Sequence, residues 1–372
     1  MSNDTQPEIR FPGFTEDWEQ RKLGEVVESV GTGRSTFTNG IVQTSETPYA
    51  VLGSTSVISY DSMFDHSGDF ILTARVGANA GNLYKYFGEV KISDNTVYIQ
   101  ANNLDFIYYL LTKYDLKRLS FGTGQPLVKA SEVKNLKLNF PQKNEEQQKI
   151  GSFFKQLDDT IALHQRKLDL LKETKKGFLQ KMFPKNGAKV PEIRFPGFTE
   201  DWEERRLQEV VDRYDNLRIP ITASKRVAGN TPYYGANGIQ GYVEGYTHDG
   251  EFILVAEDGA NDLKNYPVQY VDGKVWVNNH AHVIQAKENL ADNMFLMNAI
   301  RSINIEPFLV GGGRAKLNAD VLMKLEVIIP LKSEQQKIGA FFKQLDDTIA
   351  LHQRKLDLLK ETKKGFLQKM FV

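Results

Sequence analysis

The sequence contains no cysteine in its 372 residues. This absence excludes a disulfide framework, thiol nucleophiles, cysteine-bound zinc and iron–sulfur clusters, and a reducing compartment is the simplest fit. The chain also lacks an apolar run near the ~20 residues that a membrane span requires. Its first residues, MSNDTQPEIR, have neither the basic nor the apolar region of a signal peptide. We therefore expect a cytoplasmic protein with no membrane partner.

A net charge is absent as well, because 47 Lys and Arg residues balance 47 Asp and Glu residues. Nucleic-acid binders usually carry a basic excess, so neutrality by itself argues mildly against that function. The P-loop GxxxxGKS/T, the zinc motif HExxH and the nucleophile elbow GxSxG are also missing. We therefore do not expect an enzyme that acts alone. The length predicts two or three domains.

The chain repeats itself. Residues 7–27 return at 191–211 with three differences, and residues 147–183 return at 335–371 with one. A repeat has to be recognised first, because it decides how the whole fold is interpreted. Each half therefore consists of an opening block, a body of a little over a hundred residues and a closing block.

The two bodies differ much more than the blocks, but they share a weak frame. HSGDFILTARVGAN from His66 matches HDGEFILVAEDGAN from His248. SDNTVYIQ, which ends at Gln100, aligns with NNHAHVIQ, which ends at Gln285. FGTGQPLVKASEVKNLKLNFP precedes the first closing block, and VGGGRAKLNADVLMKLEVIIP precedes the second. The architecture is duplicated, and the variation is confined to the bodies.

Each closing block has the spacing of a coiled coil. Its mostly apolar heptad positions are separated alternately by four and three residues: Ile150, Phe154, Leu157, Ile161, His164, Leu168, Leu171, Lys175, Phe178 and Met182. This pattern predicts one long amphipathic helix, which cannot bury its apolar stripe alone. The second copy, which places His352 where the first has His164, is the obvious partner. We expect an antiparallel intramolecular coiled coil in which these two histidines approach each other.

The bodies contain short runs rich in β-branched and aromatic residues, such as FILTAR, TVYIQ, FILVAE and LEVIIP, bounded by Gly, Asn and Pro. Two segments, LDFIYYLLTKYDLKRL and LADNMFLMNAIRSI, have helical spacing. The predicted fold class is therefore α+β (mixed α/β), with two similar globular domains separated by two long antiparallel helices in an internal pseudo-twofold repeat.

The chemical candidates are few. His280 and His282 alternate, which leaves open a metal pair or ordinary polar or DNA-facing histidines. The pairs Asp158–Asp159 and Asp346–Asp347 are interpreted as solvated helix faces. Three glycine-rich segments, each followed by Arg or Gln, admit two explanations: turn geometry or close approach to phosphates. They are Gly31–Arg34, Gly122–Gln125 and Gly311–Arg314.

This constellation resembles the specificity subunit of type I restriction-modification systems. The likeness covers nearly the whole chain, and it depends on the combination of RFPGFTEDWE with Trp18 and Trp202, GANAGNLYKY, KISDNTVYIQ, GTGQPLVKASEV, GGGRAKLNADVL and the helix starts EEQQKI and SEQQKI. The resemblance implies a non-catalytic subunit in which two target recognition domains each read one half of a split DNA sequence. The expected divisions are residues 1–27, the first opening block; 28–144, the first recognition domain; 145–183, the first long helix; 184–211, a linker and the second opening block; 212–332, the second recognition domain; and 333–372, the second long helix.

The resemblance also implies sites and partners. It places DNA contacts in loops around Arg34, Asn79, Lys85, Asn95, Gln125, Asn261, Lys264, Asn279, His280 and Arg314. The implied partners are double-stranded DNA, two methylation subunits and restriction subunits. S-adenosylmethionine, ATP and Mg are expected in those partner subunits, not in this chain, which lacks the (D/N/S)PP(Y/F) methylation motif.

Two alternatives remain open at this point. Near-identical helices with divergent bodies also fit a non-enzymatic coiled-coil scaffold that spaces two peptide- or sugar-binding modules. A self-sufficient methyltransferase would have to bind S-adenosylmethionine as an isolated chain.

Overall fold

The structure is a computed structural model that describes residues 5–120, 126–185, 187–311 and 314–372. The chain divides into two compact units. Unit 1 comprises Met1–Gln165 with Arg354–Val372, and unit 2 comprises Arg166–Gln353. Each division falls inside one of the two long helices, so both units contain part of each helix. Both units contain helices and sheets, which confirms the predicted fold class.

The elements of the first half, in chain order, are as follows. Its strands are β1 (Glu19–Lys22), β2 (Ser29–Thr32), β3 (Tyr49–Leu52), β4 (Val57–Asp61), β5 (His66–Ala74), β6 (Leu83–Ile92), β7 (Thr96–Gln100) and β8 (Lys137–Phe140). Its α-helices are α1 (Leu23–Val26), α2 (Leu104–Tyr114), α3 (Ala130–Lys134) and α4 (Asn144–Lys181), and a 3-10 helix covers Leu116–Ser120.

The second half repeats this order with more breaks. Its strands are β9 (Glu203–Arg206), β10 (Val211–Arg213), β11 (Ala228–Gly235), β12 (Gly238–Val243), β13 (His248–Asp249), β14 (Phe252–Ala256), β15 (Val268–Val271), β16 (Lys274–Val277), β17 (Ala281–Ala286) and β18 (Glu326–Ile329). Its α-helices are α5 (Leu207–Val210), α6 (Asn293–Ser302), α7 (Ala319–Lys324) and α8 (Lys332–Lys369), with 3-10 helices at Asp215–Leu217, Ala223–Lys225 and Glu306–Phe308.

The two long helices, α4 and α8, each have 38 residues, a length of about 57 Å. Within unit 1 they run antiparallel. The ring of Phe153 in α4 lies 5.1 Å from that of Phe366 in α8, and Asp158, further along α4, pairs with Lys363, which comes earlier in α8. These contacts cover the apolar stripe that neither helix could bury alone.

Unit 2 contains the equivalent contacts. Phe178 lies 4.9 Å from Phe341 between ring centroids, and Lys175 pairs with Asp346 at 2.5 Å. Burial and the nearby charge of Arg301 lower the pKa of Lys175. The interpretation of both aspartate pairs as solvated faces was therefore wrong for Asp158 and Asp346, which form partly buried ion pairs between the helices.

The larger sheet of unit 1 has six strands in the order β2-β7-β5-β6-β3-β4. Only β3 and β6 are parallel. Gly68 in β5 faces Gly88 in β6, and both have positive φ angles of 122° and 111°. Glycine tolerates this conformation and often marks a bend in a strand. A second pairing, β1 with β8, joins the opening block to the end of the body.

Unit 2 divides the same arrangement into two four-stranded sheets, β10-β17-β14-β15 and β12-β11-β16-β13. Gly250 and Gly273 lie at the breaks and exchange backbone hydrogen bonds of 3.2 and 3.1 Å. Their φ angles are 135° and 85°. A facing glycine pair therefore recurs in both units. Strands β9 and β18 repeat the pairing of β1 with β8.

Each opening block is fixed by one tryptophan. Trp18 is 3% exposed and packs edge-on against Phe106 and Phe371 in unit 1. In unit 2, Trp202 makes the same contacts with Phe295 and Phe183. These aromatic groups join the opening block, the first helix of the body and the end of a long helix into one core.

An arginine–glutamate pair accompanies each tryptophan. Arg10 donates two hydrogen bonds of 2.7 and 2.8 Å to Glu146, whose side chain is 1% exposed. Arg194 forms the equivalent bidentate pair with Glu334 at 2.8 Å for both bonds. Arg10 and Arg194 lie inside the opening blocks, and Glu146 and Glu334 directly precede the closing blocks, so the repeat preserves a buried charge pair together with the apolar core.

His164 and His352 are partly buried in α4 and α8, and each takes part in an interaction. Their predicted approach to each other stays a prediction. In the described ranges of the chain, no helix is long and apolar enough to cross a membrane.

Candidate nucleic-acid interface

Three segments that are distant in the sequence of unit 1 meet at one end of its sheet. The chain leaves β5 at Arg75, whose backbone N–H donates to Asn95 in the β6–β7 turn at 2.8 Å. The carbonyl of Arg75 accepts from the N–H of Val128 at 2.8 Å, and Val76 forms a bridge with Leu127. We call the region formed by residues 75–82, 93–95 and 126–128 the loop face of unit 1.

Unit 2 builds the same junction from the corresponding segments. The N–H of Glu257 donates to the carbonyl of His280 at 2.9 Å, and the carbonyl of Glu257 accepts from Leu317 at 2.7 Å. Asp258 forms a bridge with Lys316. The loop face of unit 2 comprises residues 257–265, 278–280 and 314–317. The weak alignment of the two bodies thus corresponds to matching backbone hydrogen bonds.

Most of the candidate residues of unit 1 lie on or near its loop face. Asn79 and Asn95 are exposed there, and Arg34 is exposed just beyond β2. The side chain of Asn79 accepts a hydrogen bond from Asn82 at 3.1 Å, which holds the 79–82 turn. Gln125 lies outside the described residues.

Lys85 has a different environment from the other candidates. It lies within β6, and its ammonium group forms a 2.6 Å ion pair with Asp105 in the first turn of α2. The same group lies 4.8 Å from the ring centre of Tyr108. Lys85 thus attaches the sheet to α2, and contact with DNA would require this ion pair to open.

In unit 2 the candidates Asn261, Lys264 and Asn279 are exposed on the loop face. The N–H of Asn261 donates to the side chain of Asn237 at 2.9 Å, and that of Lys264 donates to Asp262 at 2.9 Å. These hydrogen bonds fix the backbone of the loop that carries Asn261 and Lys264.

The structure brings His280 and Arg314 together, although 34 positions separate them. Both contact Asp258: Nδ1 of His280 lies 2.5 Å from Oδ1, and Nη2 of Arg314 lies 3.0 Å from the same oxygen. Asp258 was not among the predicted residues. The sequence signal for it is its position two residues after a buried strand, next to the matching GAN segment.

Beneath this cluster lies a polar network that sequence reasoning missed. His282 is 1% exposed, and its two ring nitrogens contact Asp215 and the carbonyl of Leu317, both at 2.8 Å. Glu257 forms ion pairs with Arg218 at 2.7 Å and with Lys316 at 3.1 Å. The network connects the strand ends to the segment that carries Arg314, and so supports the loop face from below.

Two carboxyl groups in this network have lowered pKa values. Burial raises the pKa of Asp215, but the interactions with His282, the N–H of Val283 and the charge of Arg218 together hold the pKa below its ordinary value. Burial also raises the pKa of Glu257, but the hydrogen bonds that Arg218 and Lys316 donate outweigh this effect, so the pKa is lowered overall. Both groups therefore stay ionised at neutral pH.

The histidines at 280 and 282 bind different carboxylates, Asp258 and Asp215. Within the ranges that the structure describes, no group of three or more His, Asp or Glu side chains could hold a metal ion. Each histidine contacts its own carboxylate, and His282 also contacts the carbonyl of Leu317.

Packing accounts for the first glycine-rich segment. A Cβ at Gly33 would lie 2.2 Å from the carbonyl oxygen of Ile92 and 2.3 Å from that of Ser93. At Gly31 it would lie 2.5 Å from the hydroxyl of Tyr98. These glycines admit neighbouring strands, an explanation that differs from both of the interpretations drawn from the sequence, turn geometry and close approach to phosphates. Gly311, by contrast, has a φ of 92°, a backbone conformation that glycine tolerates.

Comparison with known proteins identifies the class to which these two units belong. Residues 15–173 and 199–361 each match the type I restriction modification DNA specificity domain, so the match covers both repeats. The chain therefore belongs to the family of type I restriction-modification DNA specificity subunits, which are non-catalytic recognition subunits. No support was found for a scaffold that spaces peptide- or sugar-binding modules.

Individual relatives agree with this assignment. A type I restriction enzyme specificity subunit assigned in Haemophilus influenzae is 47% identical over 154 residues, or 41% of this chain and 39% of that protein. The MjaVIII specificity subunit of Methanocaldococcus jannaschii is 22% identical over 78% of this chain and 75% of its own length. The crystal structure of the type I restriction-modification S subunit from M. genitalium has the same fold, with a TM-score of 0.75 at 16% identity over 99% of both chains.

Proposed function

We propose that this chain reads a DNA sequence in two halves, with the loop face of each unit contacting one half-site. The observation that carries the proposal is the recurrence of one backbone junction with different side chains on it. The matching positions 79 and 261 are both asparagine. By contrast, Asn95 of unit 1 is replaced by His280 in unit 2, which also presents Arg314. Amide and guanidinium groups are those that read adenine and guanine edges. A shared frame with exchanged polar groups is what two different half-sites require.

The charge of the bodies indicates how the complex holds DNA. Residues 28–140 contain 10 basic and 10 acidic groups, and residues 212–330 contain 11 and 14. Affinity for the DNA backbone rises with the number of phosphates neutralised, so the bodies alone have little of it. We infer that partner subunits supply most of the contact with phosphate and that this chain supplies base recognition.

The repeated blocks are the proposed docking surfaces for those partners. The opening blocks and long helices are nearly identical, and each repeat has the same buried tryptophan and arginine–glutamate pair. Two equivalent surfaces would bind two equivalent subunits. We therefore propose two methylation subunits per chain, with restriction subunits joining the assembly. S-adenosylmethionine, ATP and Mg would be bound by those subunits, in the cytoplasm where the host DNA lies.

The direct test exchanges residues 28–140 for the corresponding body of another family member in a host that carries the complete system. Sequencing of methylated adenines should show one half of the recognised sequence replaced and the other unchanged. The matched control is Ser152→Ala, which gives the first helix the residue of the second copy at Ala340. It should change neither half. If the exchange alters both half-sites together, recognition is not divided between the two units.

A further inference from the structure

Arg314 is exposed and yet held in one orientation. Its side chain is 60% exposed on the loop face of unit 2. The guanidinium group donates through Nη2 to Oδ1 of Asp258 at 3.0 Å. It also lies over Gly259, where a Cβ would come within 3.4 Å of Nη2 and 3.5 Å of Nε. The position is therefore set by a carboxylate on one side and by a glycine that leaves room on the other.

Asp258 is itself well fixed. Its backbone forms the bridge with Lys316, and its carboxylate also contacts Nδ1 of His280. A carboxylate oxygen only accepts hydrogen bonds, so both the imidazole and the guanidinium donate to it. The 3.2 Å between His280 Nδ1 and Arg314 Nη2 follows from their sharing this one acceptor. Asp258 thus connects all three segments of the loop face to Arg314.

From this arrangement, and resting on the proposed function, we infer that Arg314 reads a guanine in the half-site contacted by unit 2, with Asp258 as its positioning residue. A guanidinium group has five N–H donors in a rigid planar fork, and Asp258 takes one of them. The remaining donors match the O6 and N7 acceptors of guanine in the major groove. Holding the fork in advance lowers the entropy lost when it pairs with a base.

A contact with phosphate is the competing role for an exposed arginine. Phosphate contacts need positive charge and little orientation, and lysine serves nearly as well. The neighbouring Lys264, an exposed ammonium group on the same loop face, is suited to such a contact. The fixed fork of Arg314 is suited to base recognition, and the two roles make opposite predictions for the substitution Arg314→Lys.

The first experiment sequences methylated adenines in a host carrying the complete system with wild-type chain, R314K or the control R226K. Arg226 is also an arginine held in place within unit 2, since its Nε donates to the carbonyl of Ile221 at 3.2 Å, but it lies outside both the loop face and the opening blocks. The R314K variant should accept other bases at one G·C position of a single half-site, with discrimination reduced about 5- to 150-fold. The R226K variant should leave the sequence unchanged. The intact second half-site shows in the same cells that the complex has assembled.

The second experiment measures binding of the assembled complex to duplexes in which each guanine of that half-site is replaced in turn by 7-deazaguanine, which lacks the N7 acceptor. One replacement should weaken binding of the wild-type complex and have no further effect on the R314K complex. Asp258→Asn should reduce discrimination at the same position by a smaller factor, and the R314K/D258N double variant should be no worse there than R314K alone.

Several results would overturn the inference. They are a half-site without any G·C pair, no guanine sensitive to loss of N7, an unchanged sequence in R314K, or a loss of affinity in R314K that is equal for all duplexes. The last result would identify a phosphate contact. None of these affects the proposed function, which fails if the wild-type system methylates no two-part sequence at all.

Discussion

Replacing Arg10 by methionine removes the partner of a carboxylate that has no access to solvent. Glu146 is 1% exposed and receives both of its short hydrogen bonds from Arg10, whose own side chain is 11% exposed. The hydrogen bonds that Arg10 donates to Glu146 also raise the pKa of Arg10, so the guanidinium stays charged. Removing one member of a buried pair typically costs about 3–5 kcal/mol, because the other charge is left without compensation.

The expected result is a large loss of stability in unit 1. At about 2–4 °C per kcal/mol for a unit of this size, Arg10→Met should lower the midpoint of thermal unfolding by roughly 6–20 °C. Urea unfolding of the full chain measures the free energy of unfolding. Hydrogen–deuterium exchange of peptides around residues 10–20 and 144–158 locates the change.

Two further variants define the cause. The double variant R10M/E146L removes both charges, and because an apolar pair of similar volume is often neutral or stabilising, most of the lost stability should return. Lys189→Met breaks an exposed pair with Asp201, at 3.7 Å with side chains 72% and 67% exposed, and should cost no more than about 1 kcal/mol. If R10M costs as little as K189M, or if the double variant is no more stable than R10M, the argument from burial is refuted.

Three other predictions follow from the structure. Gly177→Ala should stabilise α4 by up to about 1 kcal/mol, because the added Cβ meets nothing within 4 Å. Gly151→Ala in the same helix should destabilise the protein, because the added Cβ would lie 2.8 Å from the backbone nitrogen of Phe106. Chemical denaturation compares the two variants, and changes of the same sign would contradict the packing argument. Burial lowers the pKa of His248 below its ordinary 6.5. The contribution of the neutral imidazole to stability is therefore present above pH 6.5 and is lost as pH falls through the lowered pKa. Thermal unfolding between pH 7 and 5 should show this loss, and His248→Gln should reduce the pH dependence. Native mass spectrometry of the saturated complex should find two methylation subunits per chain, and a single one would contradict the equivalence of the two docking surfaces.

The long helices and the division into repeats could be predicted from the sequence, because both depend on local patterns. The heptad spacing predicted helices over 145–183 and 333–372, and the structure has them at Asn144–Lys181 and Lys332–Lys369. The fold class followed from alternating apolar runs. Partners across the helices did not follow: the spacing places Asp158 on α4, but only three-dimensional packing shows that Lys363 lies opposite.

The candidate site was predicted in part for the same reason. Arg314 and His280 could be selected from aligned glycine-rich and asparagine-rich segments, since their residue types already indicate polar recognition. Asp258 and the pair Asp215–His282 could not, because 67 positions separate the last two and no local spacing records their contact. The ion pair of Lys85 with Asp105, 20 positions further along the chain, could not be predicted from local spacing either, and the DNA contact of Lys85 stays a prediction.

The composition of unit 1 has a consequence for how the protein is made. Its core includes Met370 and Phe371, which pack with Trp18, Phe106 and Phe154. The ribosome synthesises residues 354–372 roughly 190 residues after position 165, which at about 5–20 residues per second is a delay of roughly 10–40 s. Unit 2 is one continuous stretch and can complete its core earlier. The part of the chain that is translated first is therefore the last to finish folding, and its aromatic surface stays uncovered during the interval in which a nascent chain is most exposed to chaperones and proteases.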